Sequence, residues 1–292
     1  MLPGYLHIDA SRGLTAPLLN AAMADLLGDD QCIKQALLAL DLNEIEIEVV
    51  QLLNNVRGKA LNFYWQDKPF SDVKSPIIRA CLGGDGVSLT ALSELYLDKR
   101  LDPRVSGVAL KILEHLHSPL FVEQKLSGPD ALWLFCHTLA LSAQLRKLDP
   151  KFISSTPLYR GVAAGVFSQS GFLSLDDRLW SNEIVRGLPI IEVSAEIAFD
   201  VLALAFIKAV ASTFGPRGAS IIIHIGIGLS KSGGSLLEAS WCEASLPDTV
   251  FEVGLNNKPK CSALIEVTGL VAFGCDMPAI VSMLSLNRAM AI

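Results

Sequence analysis

The stretch "HIDASRGLTAPLLNAAMADLLG", His7 to Gly28, decides the fold of this chain. Residues 5 to 9 make a short apolar strand, and Gly13 sits in the turn that follows. Thr15 then reads as a helix cap, because its hydroxyl can accept one of the unpaired N–H groups of the first turn. Pro17 follows in that turn, where proline costs least. A strand that turns through glycine into a capped helix is the unit from which α/β proteins build ligand sites at the carboxyl ends of their strands.

The pattern repeats outward from this unit. "NEIEIEVVQL" from Asn43 alternates Ile45 and Ile47 with acids, the period-two signature of a half-exposed strand, and "VRGKALNFYWQ" is expected to pair with it. "LGGDG" at 82–86 breaks the chain, and "RVSGVALKILEHLH" from Arg104 resumes as a helix. "GPDALWLFCHTLALSAQLRKLDP", 128–150, reads as a long apolar helix with Pro129 early and Asp149-Pro150 as its stop. "FISSTPLYRG" reads as a strand leaving it. Beyond a polar segment at 168–187 come a strand near "LPIIEV", a helix over Ile197–Phe214 ended by Gly215-Pro216, and the strand "SIIIHIGIG".

This alternation predicts an α/β domain over residues 1–240, a mixed sheet packed with helices. The helices from Thr15 and from Pro129 are expected to pack on the same sheet. A small β-rich C-terminal element is expected over 241–292, with a turn at Asn256-Asn257-Lys258-Pro259.

Composition narrows the function classes. Of 292 residues, 51% are hydrophobic and 18% charged, enough apolar side chain to bury one large core or two ordinary ones. A net charge of -6 and a pI near 5.4 supply no basic field for a phosphate backbone, so nucleic acid is set aside as a partner. Asp200 and Lys208 interrupt the most apolar run, which argues against a membrane span. The six cysteines are dispersed without a C-x-x-C pair, as buried reduced thiols are, and "MLPGYLHIDASRG" lacks the pattern of a signal peptide. A cytoplasmic location is the expectation.

Several residues could carry chemistry. Asp9, at the end of the first strand, could bind Mg²⁺ or Mn²⁺, or could accept hydrogen bonds from turn amides around Arg12 and Gly13. His115 and His117 precede Glu123 and Asp130, residue types that build Ni, Mn or Zn sites. Histidines at a helix end also interact with its terminal carbonyls. "HIGIGLSKSGG", 224–234, places Gly226 and Gly228 after an apolar strand as phosphate-cradling loops do, although it matches neither nucleotide-binding glycine motif. A strand ending in a flexible loop is the other reading. His7, His137 and His224 lie in apolar runs and are expected to be packed.

In order and spacing these pieces resemble the nickel insertion proteins that complete the nickel-pincer nucleotide cofactor of lactate racemase. That family opens with a strand, a D-C-F-S-G-I-S-G-D-M turn and an A-L-L-D-L-G helix. "DASRGLTAPL" and "AAMADLLG" keep Asp9, Gly13, Asp25 and Gly28 at matching places. "FVEQKLSGPDA" is similar to F-H-E-V-G-A-x-D and preserves Phe121, Glu123 and Asp130. "STPLYRG" at 155–161 resembles S-P-L-x-x-G, and "SGFL" at 170–173 resembles H-G-x-L. "FGP" at 214–216 and "GIGLS" at 226–230 resemble F-G-P and G-Y-G-A-G.

The resemblance spans roughly residues 5–240. The family's cysteine, serine and second aspartate in the first turn are Ala10, Arg12 and Pro17 here, and its histidines in F-H-E and H-G are Val122 and Ser170. Its H-R-H segment is replaced near "FSDVKS", its T-P-T-G by "AEIA" at 195–198, and most of its C-terminal domain is missing.

The resemblance implies a nickel chelatase of lyase type that acts on a pyridinium-derived nucleotide precursor with CTP and a divalent metal, Mn or Mg. It also implies Asp9, Glu123, Asp130 and His117 as metal ligands and Gly13, Gly226 and Gly228 as cofactor-binding positions. The substitutions leave a second reading open, that of a non-catalytic member which binds a ligand or partner. A homo-oligomer, or a companion chain that supplies the missing domain, also stays open.

Overall fold

The computed structural model describes residues 4–54, 56–65, 75–82, 86–117, 125–161, 183–193, 197, 199–218, 220–230 and 235–244. Strand β1 (Gly4–Asp9) buries Leu6 and Ile8 completely. The Thr15 hydroxyl accepts the N–H of Leu18 and opens α1 (Ala16–Leu27), which Gly28 closes at φ 80°. Helix α2 (Gln31–Ala39) leads into β2 (Ile45–Asn54) and β3 (Val56–Trp65), which pair in register from Ile45↔Trp65 to Asn54↔Val56 as the alternation predicts. Then come α3 (Pro76–Leu82), β4 (Val87–Ser88), α4 (Leu89–Leu95), α5 (Pro103–Leu116), β5 (Lys125–Leu126) and α6 (Gly128–Leu148). Most of the "LGGDG" break lies outside the described residues.

After α6 the chain forms β6 (Ile153–Ser155), β7 (Leu158–Gly161), β8 (Ile190–Val193), a helix here numbered α7 (Val201–Val210), β9 (Thr213–Phe214), β10 (Ser220–Leu229) and β11 (Leu236–Ala244). Seven of these strands form one mixed sheet in the order β2-β3-β10-β11-β1-β6-β9. β1 is parallel to β6 and antiparallel to β11, so the first strand of the chain lies at the sheet's interior. Seven helices among the described residues and this mixed sheet make an α/β fold. No helix among the described residues is long and apolar enough to cross a membrane.

Four expectations need correction. First, α1 alone of the two named helices packs broadly on the sheet, against β3, β10 and β11, while α6 packs on α1, α2, α3 and α5. α6 meets the sheet through His137, whose ring stands edge-on to Phe63 at 4.9 Å. α1 occupies the sheet surface, so α6 forms a second layer. It is buried nearly all round, as helices enclosed on every side are.

Second, "FISSTPLYRG" is not one strand: β6 joins the main sheet, whereas β7 pairs with β8 in a separate ribbon. Third, the apolar helix begins only at Val201 and ends at Val210. Asp200, read as a charge inside that helix, caps its N-terminus instead.

Fourth, Gly226 and Gly228 lie inside β10, as the strand "SIIIHIGIG" has them, and not after the strand as the phosphate-loop reading has them. A Cβ on Gly226 would collide with the carbonyl oxygen of Ala22, and one on Gly228 with that of Leu18. The glycines let the α1 backbone rest directly on the strand. Asp25 fastens the same contact by accepting the N–H of Ile227 at 3.0 Å, and Lys59 donates to the Ala24 carbonyl at 3.1 Å. Beyond Ala244, the expected β-rich element and its turn lie outside the described residues; β11 itself runs from Leu236 across position 240.

Candidate functional site

Strand alternation places Leu6 and Ile8 of β1 in the core, and with them Leu237 and Ala239 of β11, all buried. The alternate residues His7 and Asp9, Glu238 and Ser240 therefore share the other face. Register sets them side by side, with His7 opposite Ser240 and Asp9 opposite Glu238. On the other flank β6 sets Ser154 beside His7.

These side chains form two hydrogen-bonded groups that register sets side by side on one face. The Ser154 hydroxyl lies 2.8 Å from His7 Nδ1. Arg217, just past β9, donates through Nη1 to Glu238 Oε1 and to the Ser240 hydroxyl, each at 2.9 Å. Ser240 in turn donates to Glu238 Oε1 at 2.7 Å. His7 is 2% exposed, whereas the side chains of Arg217 and Glu238 keep about a third of their surface accessible, 31% and 28%.

Burial holds the His7 imidazole below its usual pKa, and the nearby Arg217 charge pushes the same way, against Asp9 and Glu238. A neutral imidazole at pH 7 is a proton acceptor. A guanidinium reachable from solvent suits a carboxylate or phosphate. The face thus sets a proton acceptor beside an anion-recognition group.

The adjoining turn is stitched to the same strands. Ala10 donates its N–H to the Thr156 hydroxyl at 3.0 Å, Thr156 N–H donates to the Ile8 carbonyl, and Gly215 N–H donates to the Ser155 carbonyl at 2.9 Å. Asp9 Oδ1 accepts the N–H of Ser11 at 3.0 Å, two residues on, so it braces the turn through Ser11. Gly13 is buried in that turn, its φ is 149°, and its N–H points to the Ala10 carbonyl.

The other candidates take local roles. α5 ends at Leu116, and His117 is its exposed C-cap, its N–H turned to the carbonyls of Leu113 and Glu114. Asp130 lies in the first turn of α6, where its carboxylate meets the hydroxyl of the Ser127 cap. Glu123 lies outside the described residues. Among the described residues no three His, Cys, Asp or Glu side chains are grouped to hold a metal ion.

Two histidine expectations also change. His224 is exposed on β10. His7 is buried but belongs to the polar face, which sequence reasoning missed. The available signal was the period-two spacing of polar residues in "HID" and "EAS", which puts His7 with Asp9 and Glu238 with Ser240 on one face. His137 is packed as expected, accepting from Asn20 Nδ2 at 3.0 Å between α1 and α6. Comparison of the chain with protein-family models, with curated proteins and with solved structures finds no match.

Proposed function

We propose that this chain is a divergent member of the nickel insertion family that acts, at reduced rate, in maturing a pyridinium-derived nickel-pincer nucleotide cofactor. One observation carries the reading: three segments that bear the resemblance, 9–18, 155–161 and 214–216, are joined by the hydrogen bonds Ala10–Thr156 and Ser155–Gly215 beside one polar face. Segments far apart in sequence thus serve a common place in the fold.

In this reading Arg217 recognises an anionic group of the nucleotide precursor, and neutral His7 accepts a proton that the precursor releases. Nickel is cargo. The described residues do not group three ligands for a resident Mn or Mg ion, so no step is assigned to one. CTP is a co-substrate in this proposal, without an assigned pocket. The cytoplasm is the proposed compartment, in keeping with free thiols at Cys32, Cys81, Cys136 and Cys242.

The replacement of the family's cysteine and histidines by Ala10, Val122 and Ser170 supports a second reading, a protein that binds the nucleotide or a partner chain without inserting metal. An insertion assay separates the two. The purified chain is supplied with Ni²⁺, precursor, CTP and Mg²⁺, and nickel-loaded nucleotide is quantified by mass spectrometry. Slow, protein-dependent loading supports insertion. Precursor binding without loading supports the second reading, and neither binding nor loading contradicts both.

A further inference from the structure

The parallel register of β1 and β6 makes Ser154 the neighbour of His7, with 2.8 Å between Ser154 Oγ and His7 Nδ1. That is the separation at which an imidazole draws the proton from a nucleophile. The two side chains differ in access, since His7 is buried and Ser154 is only half-buried. A hydroxyl within reach of solvent is thus bonded to a base that is shielded from it.

Three more groups on this face serve such a pair. Burial keeps the His7 ring neutral, and the charges of Asp9 and Glu238 act the other way, favouring the imidazolium that forms when the ring takes a proton. Arg217 donates to Ser240, the residue opposite His7 on β11. β11 and β6 flank β1, so the guanidinium held on β11 and the hydroxyl on β6 belong to strands two spacings apart, about 10 Å. The arrangement suits a short molecule with an electrophilic carbonyl at one end and an anionic group at the other.

We propose that Ser154 is a nucleophile with His7 as its general base, and that the pair hydrolyses short-chain esters whose acyl group ends in a carboxylate held by Arg217. In the tautomer with its proton on Nε2, His7 Nδ1 takes the hydroxyl proton as Ser154 Oγ bonds to the ester carbonyl carbon. The bond from that carbon to the alkoxy oxygen then breaks, and the alcohol leaves with the proton from His7. Water adds to the acyl-serine and gives a proton to His7. Ser154 Oγ leaves, recovers that proton, and the free acid departs. The inference does not rest on the nickel-insertion reading, and its assays contain no nickel, CTP or precursor.

Two measurements on the full chain test it. In the first, the protein is treated with a fluorophosphonate, which phosphonylates serines activated by a base, and the modified peptides are mapped by mass spectrometry. The expected result is one adduct, on Ser154, formed about a hundred-fold more slowly in His7→Gln. In the second, hydrolysis of 4-nitrophenyl hydrogen succinate is followed. Ser154→Ala should abolish it, Arg217→Ala should lower kcat/KM about ten-fold through the lost charge-assisted hydrogen bonds, and Ser154→Cys should carry the succinyl group on its sulfur. Thermal unfolding reports the fold of each variant. The wild type decides even where a variant fails to fold, because a folded wild type without an adduct on Ser154 overturns the inference. An adduct that forms at an unchanged rate in folded His7→Gln, or ester hydrolysis that survives Ser154→Ala, overturns it as well.

Discussion

The Asp200 carboxylate accepts the N–H of Ala16 through Oδ2 at 2.7 Å, linking the start of α1 to a residue 184 positions away. Its Oδ1 accepts the N–H of Ala203 at 2.7 Å, so a single buried side chain caps two helices. Each cap contributes about 0.5–2 kcal/mol. Asp200→Ala should therefore destabilise the protein by about 2–4 kcal/mol in urea unfolding, the buried amides left unpaired adding to the lost caps. Asp200→Asn, with one acceptor oxygen, should recover part of that loss.

Two buried groups tie stability to pH in opposite senses. Burial pushes the Asp200 carboxyl up to about 6 despite its N–H donors, so the folded state holds a proton that the unfolded chain releases above about 4. Its ionisation costs stability as pH rises from about 4 to 6. Burial also pushes His137 down to about 3, so below pH 6.5 the unfolded chain takes up a proton that the folded chain refuses. That contribution is lost as pH falls from 6.5 towards 3.

The wild type should consequently show a shallow pH profile between 4 and 6, and single variants should expose the two slopes. The stability deficit of His137→Asn should shrink by about 1.4 kcal/mol per unit as pH falls through this window. That of Asp200→Asn should shrink as pH rises. Urea midpoints measured at unit pH intervals check both signs, and parallel profiles for wild type and variants would contradict the assignment.

Gly226 and Gly228 supply a packing test. Alanine at either position drives a methyl group into the α1 backbone, an overpacking cost of about 1–3 kcal/mol. A loop glycine at a ligand site would tolerate alanine with little change in stability. Thermal unfolding of Gly226→Ala and Gly228→Ala, with the ligand-free wild type as reference, distinguishes the two roles.

The parts of the fold legible in sequence were those written locally. Thr15 and Pro17 open α1; Pro129 opens α6 and Asp149 ends it; and the Ile45/Ile47 alternation marks β2. The strand reading holds Gly226 and Gly228, but their role is not legible, because a glycine pair looks the same whether it cradles a ligand or admits a helix backbone. Only the position of α1 separates these cases. His117 and Asp130 carry metal-ligand side chains, yet a helix end uses the same groups as caps. The face around His7 depends on the registers His7↔Ser240 and His7↔Ser154, non-local pairings that no spacing along the chain displays.

The role proposed for the face around His7 and Arg217 is to bind the anionic nucleotide. Calorimetric titration of the pyridinium-derived precursor into wild type, Arg217→Ala and Arg217→Lys tests it most directly, with circular dichroism confirming that each variant is folded. Arg217→Ala should weaken binding at least ten-fold, and lysine should restore only part of it because the forked guanidinium geometry is lost. Equal affinity in all three folded proteins would contradict the claim.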